Sequence, residues 1–160
     1  MKKLNYLFLL ISLVVLSCSK DSESPAPTES PNTTKYSVVG VWKVTSAVLN
    51  GQEKIGGVNP VGSEYYFIYP NGNLGTESYS DANSTNLLGY SLGNYSLPSI
   101  SSINTSAIAY NASGNSIGEY NITCDVIKIN ANELHIKFLN YPTASDNYVK
   151  KLIKTSIALP

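Results

Sequence analysis

The sequence contains no arginine; all eleven of its basic side chains are lysine. That removes the planar fork that binds phosphate or carboxylate through two parallel hydrogen bonds. Eleven acids balance the lysines, so the formal charge is zero. No basic surplus is available to hold nucleic acid, which is excluded as a partner. There is one histidine, His135, and no His/Cys/carboxylate group with zinc-ligand spacing. No acidic loop has calcium-binding periodicity, and no glycine-rich phosphate loop is present. No metal and no cofactor is therefore expected. No stretch of the folded part keeps a helical hydrophobic period.

The one long apolar run, Tyr6 to Leu16 (YLFLLISLVVL), is shorter than the about 20 residues that span a bilayer. It follows Met1-Lys2-Lys3, and a positive start before a short apolar run predicts a secretory signal peptide over 1–17. The only cysteines are Cys18 and Cys124. A bridge between them would join a polar tail to a strand, so each is given its own role. Residues 19–35 hold no Val, Ile, Leu or aromatic residue and include Pro25, Pro27 and Pro31. Such a segment buries too little apolar area to offset its ordering entropy. Residues 18–35 are predicted to form a disordered, extended tether reaching roughly 60 Å at about 3.3 Å per residue.

Val15-Leu16-Ser17-Cys18 resembles the lipobox of bacterial lipoproteins. The resemblance implies cleavage before Cys18, a diacylglyceryl (palmitate-type) anchor on its thiol and a further chain on its amine. Each buried methylene then contributes about 0.8 kcal/mol, so several chains anchor stably. The expected location is the outer membrane, on its cell-surface or periplasmic face. Ser19-Lys20-Asp21-Ser22-Glu23 resembles the surface-export signal of some Gram-negative lipoproteins, with Ser22 interrupting the acidic pair. A solvated spacer is the alternative.

From residue 36 to 160, short runs rich in Val, Ile, Tyr and Thr alternate with Asn, Gly, Pro and Ser clusters, which predicts strands and turns. The expected strands are Val41–Leu49, Glu64–Tyr69, Leu74–Tyr79, Leu87–Leu97, Ile103–Tyr110, Ile117–Ile129, Glu133–Leu139 and Tyr148–Ile157. Within the first, Trp42, Val44, Ser46 and Val48 are expected on one face. A bend is expected near Cys124-Asp125. Asn71-Gly72 is a hairpin signal; a two-residue turn there would set Tyr66 opposite Glu77 and Glu64 opposite Tyr79. The pattern predicts an all-β, antiparallel up-and-down barrel of eight strands, closed so that no edge is exposed; a two-sheet β-sandwich is the alternative.

Gly40-Val41-Trp42, "YYFIYPNGNL", "GNYSL" and "ANELHIKF" together resemble the lipocalin-like domains of bacterial lipoproteins. In lipocalins proper a tryptophan at this position plugs the barrel base beneath an arginine of the last strand. This chain has no arginine, and Lys150, Lys151 or Lys154 stands where a substitute is needed. The resemblance implies a lipid-anchored envelope protein that binds a small apolar or amphipathic ligand without catalysis. The sequence has twelve tyrosines, all but Tyr6 at residue 36 or beyond. The expected lining is Trp42, Tyr65, Phe67, Tyr69, Tyr95, Tyr110 and Tyr120, with rings facing an amphipathic molecule.

The alternative is a packed barrel that docks to an envelope protein or glycan, with 80–86 (SDANSTN) and 99–102 as contact loops. Catalytic residues are not expected. Glu64 and Glu77 are predicted to point outward, opposite Tyr65, Phe67 and Tyr69. His135 falls on the face opposite Leu134, Ile136 and Phe138, a surface position. Cys124 is read as a buried structural thiol.

Overall fold

The computed structural model describes residues 37–54 and 62–159. The expected signal peptide over 1–17, Cys18 and the tether of 18–35 lie outside them. Nine strands follow in order: β1 (Gly40–Leu49), β2 (Gln52–Glu53), β3 (Ser63–Ile68), β4 (Asn73–Tyr79), β5 (Leu87–Ser99), β6 (Ser102–Asn111), β7 (Ser116–Ile129), β8 (Glu133–Phe138) and β9 (Tyr148–Lys154). All pair antiparallel. From β3 to β9 each strand is bonded to the next in sequence, β1 pairs with β3, and β9 returns to β1. That closure makes an eight-stranded up-and-down barrel, with β2 a two-residue appendage of β1. Closure removes both edges and sets the sandwich aside.

Two Asn-Gly pairs make two different turns. Asn50 and Gly51 both have positive φ, at 51° and 82°, and Leu49 faces Gln52. This is the two-residue hairpin that the pair favours, and β2 was not among the expected strands. At Asn71-Gly72 the loop is one residue longer. Tyr69 N–H donates to Asn73 O at 3.0 Å, and Gly72, at φ 88°, donates to Tyr69 O at 3.3 Å. The register therefore moves by one: Tyr65 faces Glu77 and Tyr66 faces Thr76. The expected two-residue turn is corrected.

A bulge between Val44 and Ser46 corrects the expected face of β1. One extra residue reverses the alternation. Trp42 and Val44 are buried, and beyond the bulge Ala47 is buried where Ser46 and Val48 were expected. In β7 the irregularity falls between Val126 and Lys128, just beyond the expected bend.

Trp42 is fully buried, and its indole N–H donates to Val38 O at 2.6 Å. The Lys154 ammonium lies 5.3 Å from the ring and donates to Val39 O at 3.1 Å. Of Lys150, Lys151 and Lys154, it is thus Lys154 that takes the covering position. Its path crosses Gly40, where a Cβ would stand 2.7 Å from Lys154 Cε and where φ is +142°. A glycine before Val41-Trp42 is therefore favoured by the backbone, and it leaves room for the covering lysine.

Gly93 solves a tighter problem where it pairs with Ala107 across β5 and β6. A Cβ there would stand 2.1 Å from Ser106 O and 2.5 Å from Ala107 Cβ. Gly93→Ala is expected to destabilise the barrel by about 1–3 kcal/mol, read from urea melts. Adding Ala107→Gly restores only part of the loss, because the carbonyl contact remains. Full recovery would show that the backbone gives way freely.

Candidate functional site

The inner wall is built mainly from alternate residues. On β8 these are Leu134, Ile136 and Phe138; on β9 they are Tyr148, Lys150 and Leu152, all buried. The register fixes the β3 face. Tyr66 stands opposite Trp42 across the β1–β3 ladder, so Glu64, Tyr66 and Ile68 share the inward side. The expectation that Tyr65, Phe67 and Tyr69 point inward, with Glu64 outward, is corrected. Both alternating sets of this strand are apolar enough to face a core, and long-range pairing, not the local pattern, decides between them.

Between these walls lies a cavity of about 170 Å³. Its walls are mostly apolar, combining aliphatic side chains such as Ile68, Ile122, Leu134 and Ile136 with aromatic rings. Tyr141, from the loop after β8, also reaches the lining, its ring 6.0 Å from Phe138 and 6.1 Å from Tyr148. The volume is close to the ~150 Å³ apolar cavity that admits benzene.

A charged cluster sits in this apolar wall. Lys150 Nζ donates to Glu64 Oε1 at 2.5 Å and to the Tyr66 hydroxyl at 2.9 Å. Glu64 is 7% exposed and Lys150 is 6% exposed. Three rings surround the ammonium: Tyr66 at 5.2 Å, with Phe138 and Tyr148 each at 5.4 Å. Burial alone would lower the lysine's pKa. The Glu64 carboxylate, helped by Tyr66 and Tyr148, outweighs burial and raises it well above the usual lysine value. Burial, and then the Glu64 charge, push the Tyr66 hydroxyl well above the ordinary tyrosine range, so it keeps its proton.

A second polar group lies across the cavity. The Tyr120 hydroxyl donates to Ser91 Oγ at 2.6 Å, and Ser91 Oγ is 2.6 Å from Thr76 Oγ1. Burial raises the Tyr120 pKa. Tyr95 also lines the cavity, its hydroxyl donating to Tyr69 O at 2.9 Å and so fixing the β3–β4 loop.

Of the expected lining residues, Tyr95 and Tyr120 face the cavity. Trp42 is buried in the core outside the lining set. Tyr65, Phe67, Tyr69 and Tyr110 lie on the outer side. There Tyr65 meets Tyr79 edge-on at 6.2 Å, and Tyr110 stacks on Tyr90 at 5.0 Å. Phe67 and Tyr69 flank an outer groove with Gly75, Tyr90 and Leu92.

Glu77 is also on the outer side, opposite Tyr65, and accepts from the Tyr79 hydroxyl at 2.7 Å. Glu64 and Glu77 are thus on opposite faces and do not form a carboxylate pair in one cleft. Glu64, Tyr66 and Lys150 were not among the expected site residues. The signal for Lys150 was the alternation Tyr148-Lys150-Leu152, which places a lysine inward between two core residues.

His135 is half-buried on the outer face; burial, and then Lys128, lower its pKa. Among the described residues no group of three or more His, Cys, Asp or Glu is placed to hold a metal. Loop 80–86 is ordered by Asp81, whose carboxylate accepts from the backbone N–H groups of Asn83, Thr85 and Asn86 at 2.8–3.2 Å.

Cys124 is buried at the cavity wall, and burial pushes its thiol up to about 12. The thiol is expected to resist iodoacetamide at pH 8 in the folded protein and to react fully in urea. Rapid labelling of the folded form, followed by mass spectrometry, would show that the cavity admits reagent and solvent freely.

No family model and no curated protein sequence matches the chain. Among solved structures the chain is similar to a biogenic amine-binding protein, determined as its selenomethionine derivative. The TM-score is 0.55 at 11% identity, over 75% of this chain and 65% of that one. The chain thus spans about two thirds of that protein's length, and the likeness is one of fold.

Proposed function

We propose that this chain is a lipid-anchored envelope lipoprotein whose barrel binds a small molecule of about single-ring size in its interior, without catalysing its conversion. The observation that carries the binding reading is the apolar cavity of about 170 Å³ with the Glu64–Lys150–Tyr66 cluster in its wall. Convergent polar groups in an otherwise apolar recess are the usual form of a ligand site. Its small volume favours a compact ligand over a long acyl chain. Fold likeness to an amine-binding protein supports small-molecule binding in general terms.

The anchoring reading rests on Val15-Leu16-Ser17-Cys18 after a short apolar run. Cys18→Ala is the test: labelled palmitate is incorporated into the parent and not the variant, and the variant leaves the membrane fraction. Equal membrane association of both would defeat the anchor. For the ligand, native mass spectrometry of protein extracted gently from envelopes is expected to show a small-molecule adduct.

Docking of the outer wall to an envelope protein or glycan is the second reading. It is favoured by Leu92, 56% exposed beside an outer groove that Phe67 and Tyr90 help to line. Crosslinking in cells separates the two readings: a specific partner crosslinked through β5, with an interior that takes no ligand, favours docking.

A further inference from the structure

The cavity's polar groups are unequally satisfied, and their inequality specifies a ligand. Glu64 accepts from Lys150 through Oε1; its Oε2 accepts from no group among the described residues. The Tyr66 hydroxyl accepts from Lys150, while its own proton has no acceptor among them. Glu64 is more than nine-tenths buried and lines the cavity, as Tyr66 does. A buried carboxylate oxygen and the hydroxyl proton of the half-buried Tyr66 therefore stand unmatched at one part of an apolar wall. Such atoms are rarely left so, because each loses its hydration without replacement.

The charges at the same place are already balanced. Glu64 and Lys150 cancel at 2.5 Å. A ligand cation at Oε2 would also lie close to the Lys150 ammonium, and an anion close to the Glu64 carboxylate. Either would leave one uncompensated charge in a largely apolar recess, which is costly. An uncharged head group meets both unmatched atoms and adds no charge.

We infer that the barrel selects an uncharged single-ring ligand whose head carries both a hydrogen-bond donor and an acceptor, a carboxamide or a hydroxyl, the donor going to Glu64 Oε2 and the acceptor to the Tyr66 hydroxyl. The inference rests on the small-ligand reading above and adds its head-group chemistry. The apolar body of the ligand lies against Leu134, Ile136 and Ile122, which share the lining.

Five ring compounds differing only in one substituent test it by calorimetric titration of the purified protein at pH 7: benzamide, benzyl alcohol, benzoate, benzylamine and toluene. Benzamide and benzyl alcohol are expected to bind at least about tenfold more tightly than the other three, as hydrogen bonds to a buried charged group imply. Tyr66→Phe removes the donor and keeps the ring. It is expected to narrow the gap between benzamide and toluene while leaving toluene's affinity unchanged.

Tightest binding by benzylamine or by benzoate would overturn the uncharged head in favour of a cation or an anion. Toluene binding as tightly as benzamide would overturn head-group recognition and leave the cavity reading intact. No binding by any of the five would overturn the small-ligand reading itself.

Discussion

Lys150→Met is expected to destabilise the barrel by about 3–5 kcal/mol, the cost of leaving one member of a buried ion pair without the other. Methionine keeps the unbranched apolar stem, one atom shorter, among Tyr66, Phe138 and Tyr148. What it removes is the positive charge that compensates Glu64 and the proton donated to Tyr66. Glu64→Gln reverses the fault and leaves the ammonium uncompensated; a loss of similar size is expected.

The double variant Glu64→Leu with Lys150→Met removes both charges. It is expected to be within about 1–2 kcal/mol of the parent, because well-packed apolar replacements of a buried pair are often neutral. Urea melts of the parent, the two single-charge variants and the double variant supply the comparison. Single losses below about 1 kcal/mol would place the pair in contact with water and remove the reason for a polar head in the ligand.

Trp42→Ala is the second large effect, about 3–5 kcal/mol for a fully buried indole. The ring is held by its hydrogen bond to Val38 O and covered by Lys154. Lys154→Ala takes away the cover and its hydrogen bond to Val39 O, from an exposed lysine, and leaves the indole in place. Its expected cost is only about 0.5–1 kcal/mol. The two variants thus separate the indole's packing from its cationic cover by thermal or urea melts. Near-equal losses would mean that the lysine, and not burial of the ring, secures this end of the barrel.

Strand content was legible because this chain punctuates itself. Asn, Gly, Pro and Ser clusters stand at most of the observed turns, and Leu134, Ile136 and Phe138 alternate as expected and are buried. The direction of the side chains on β3 was not legible. Glu64-Tyr66-Ile68 and Tyr65-Phe67-Tyr69 are alternating sets of one strand, and the second is the more apolar. It nevertheless faces out, because Tyr66 is registered opposite Trp42 and because Lys150 on β9 brings inward a charge that Glu64 meets.

That pairing joins residues 86 positions apart, beyond the reach of any local pattern. The bulge after Val44 and the extra loop residue at Asn71-Gly72 each shift a register by one position, and neither leaves a mark in the hydrophobic pattern. Tyr95 and Tyr120 were expected to line the interior because tyrosines recur on successive strands, and both face the cavity. Tyr110 instead joins Tyr90 in an outward stack.

Methyl-resolved NMR of the Ile- and Leu-labelled protein, titrated with benzamide, tests the interior site most directly. The predicted result is saturable shifts at Leu134, Ile136 and Ile122 within the cavity, with Leu88, Leu92 and Ile117 on the outside unmoved. Shifts confined to Leu88 and Leu92, with the interior methyls silent, would contradict interior binding and move the site to the outer wall.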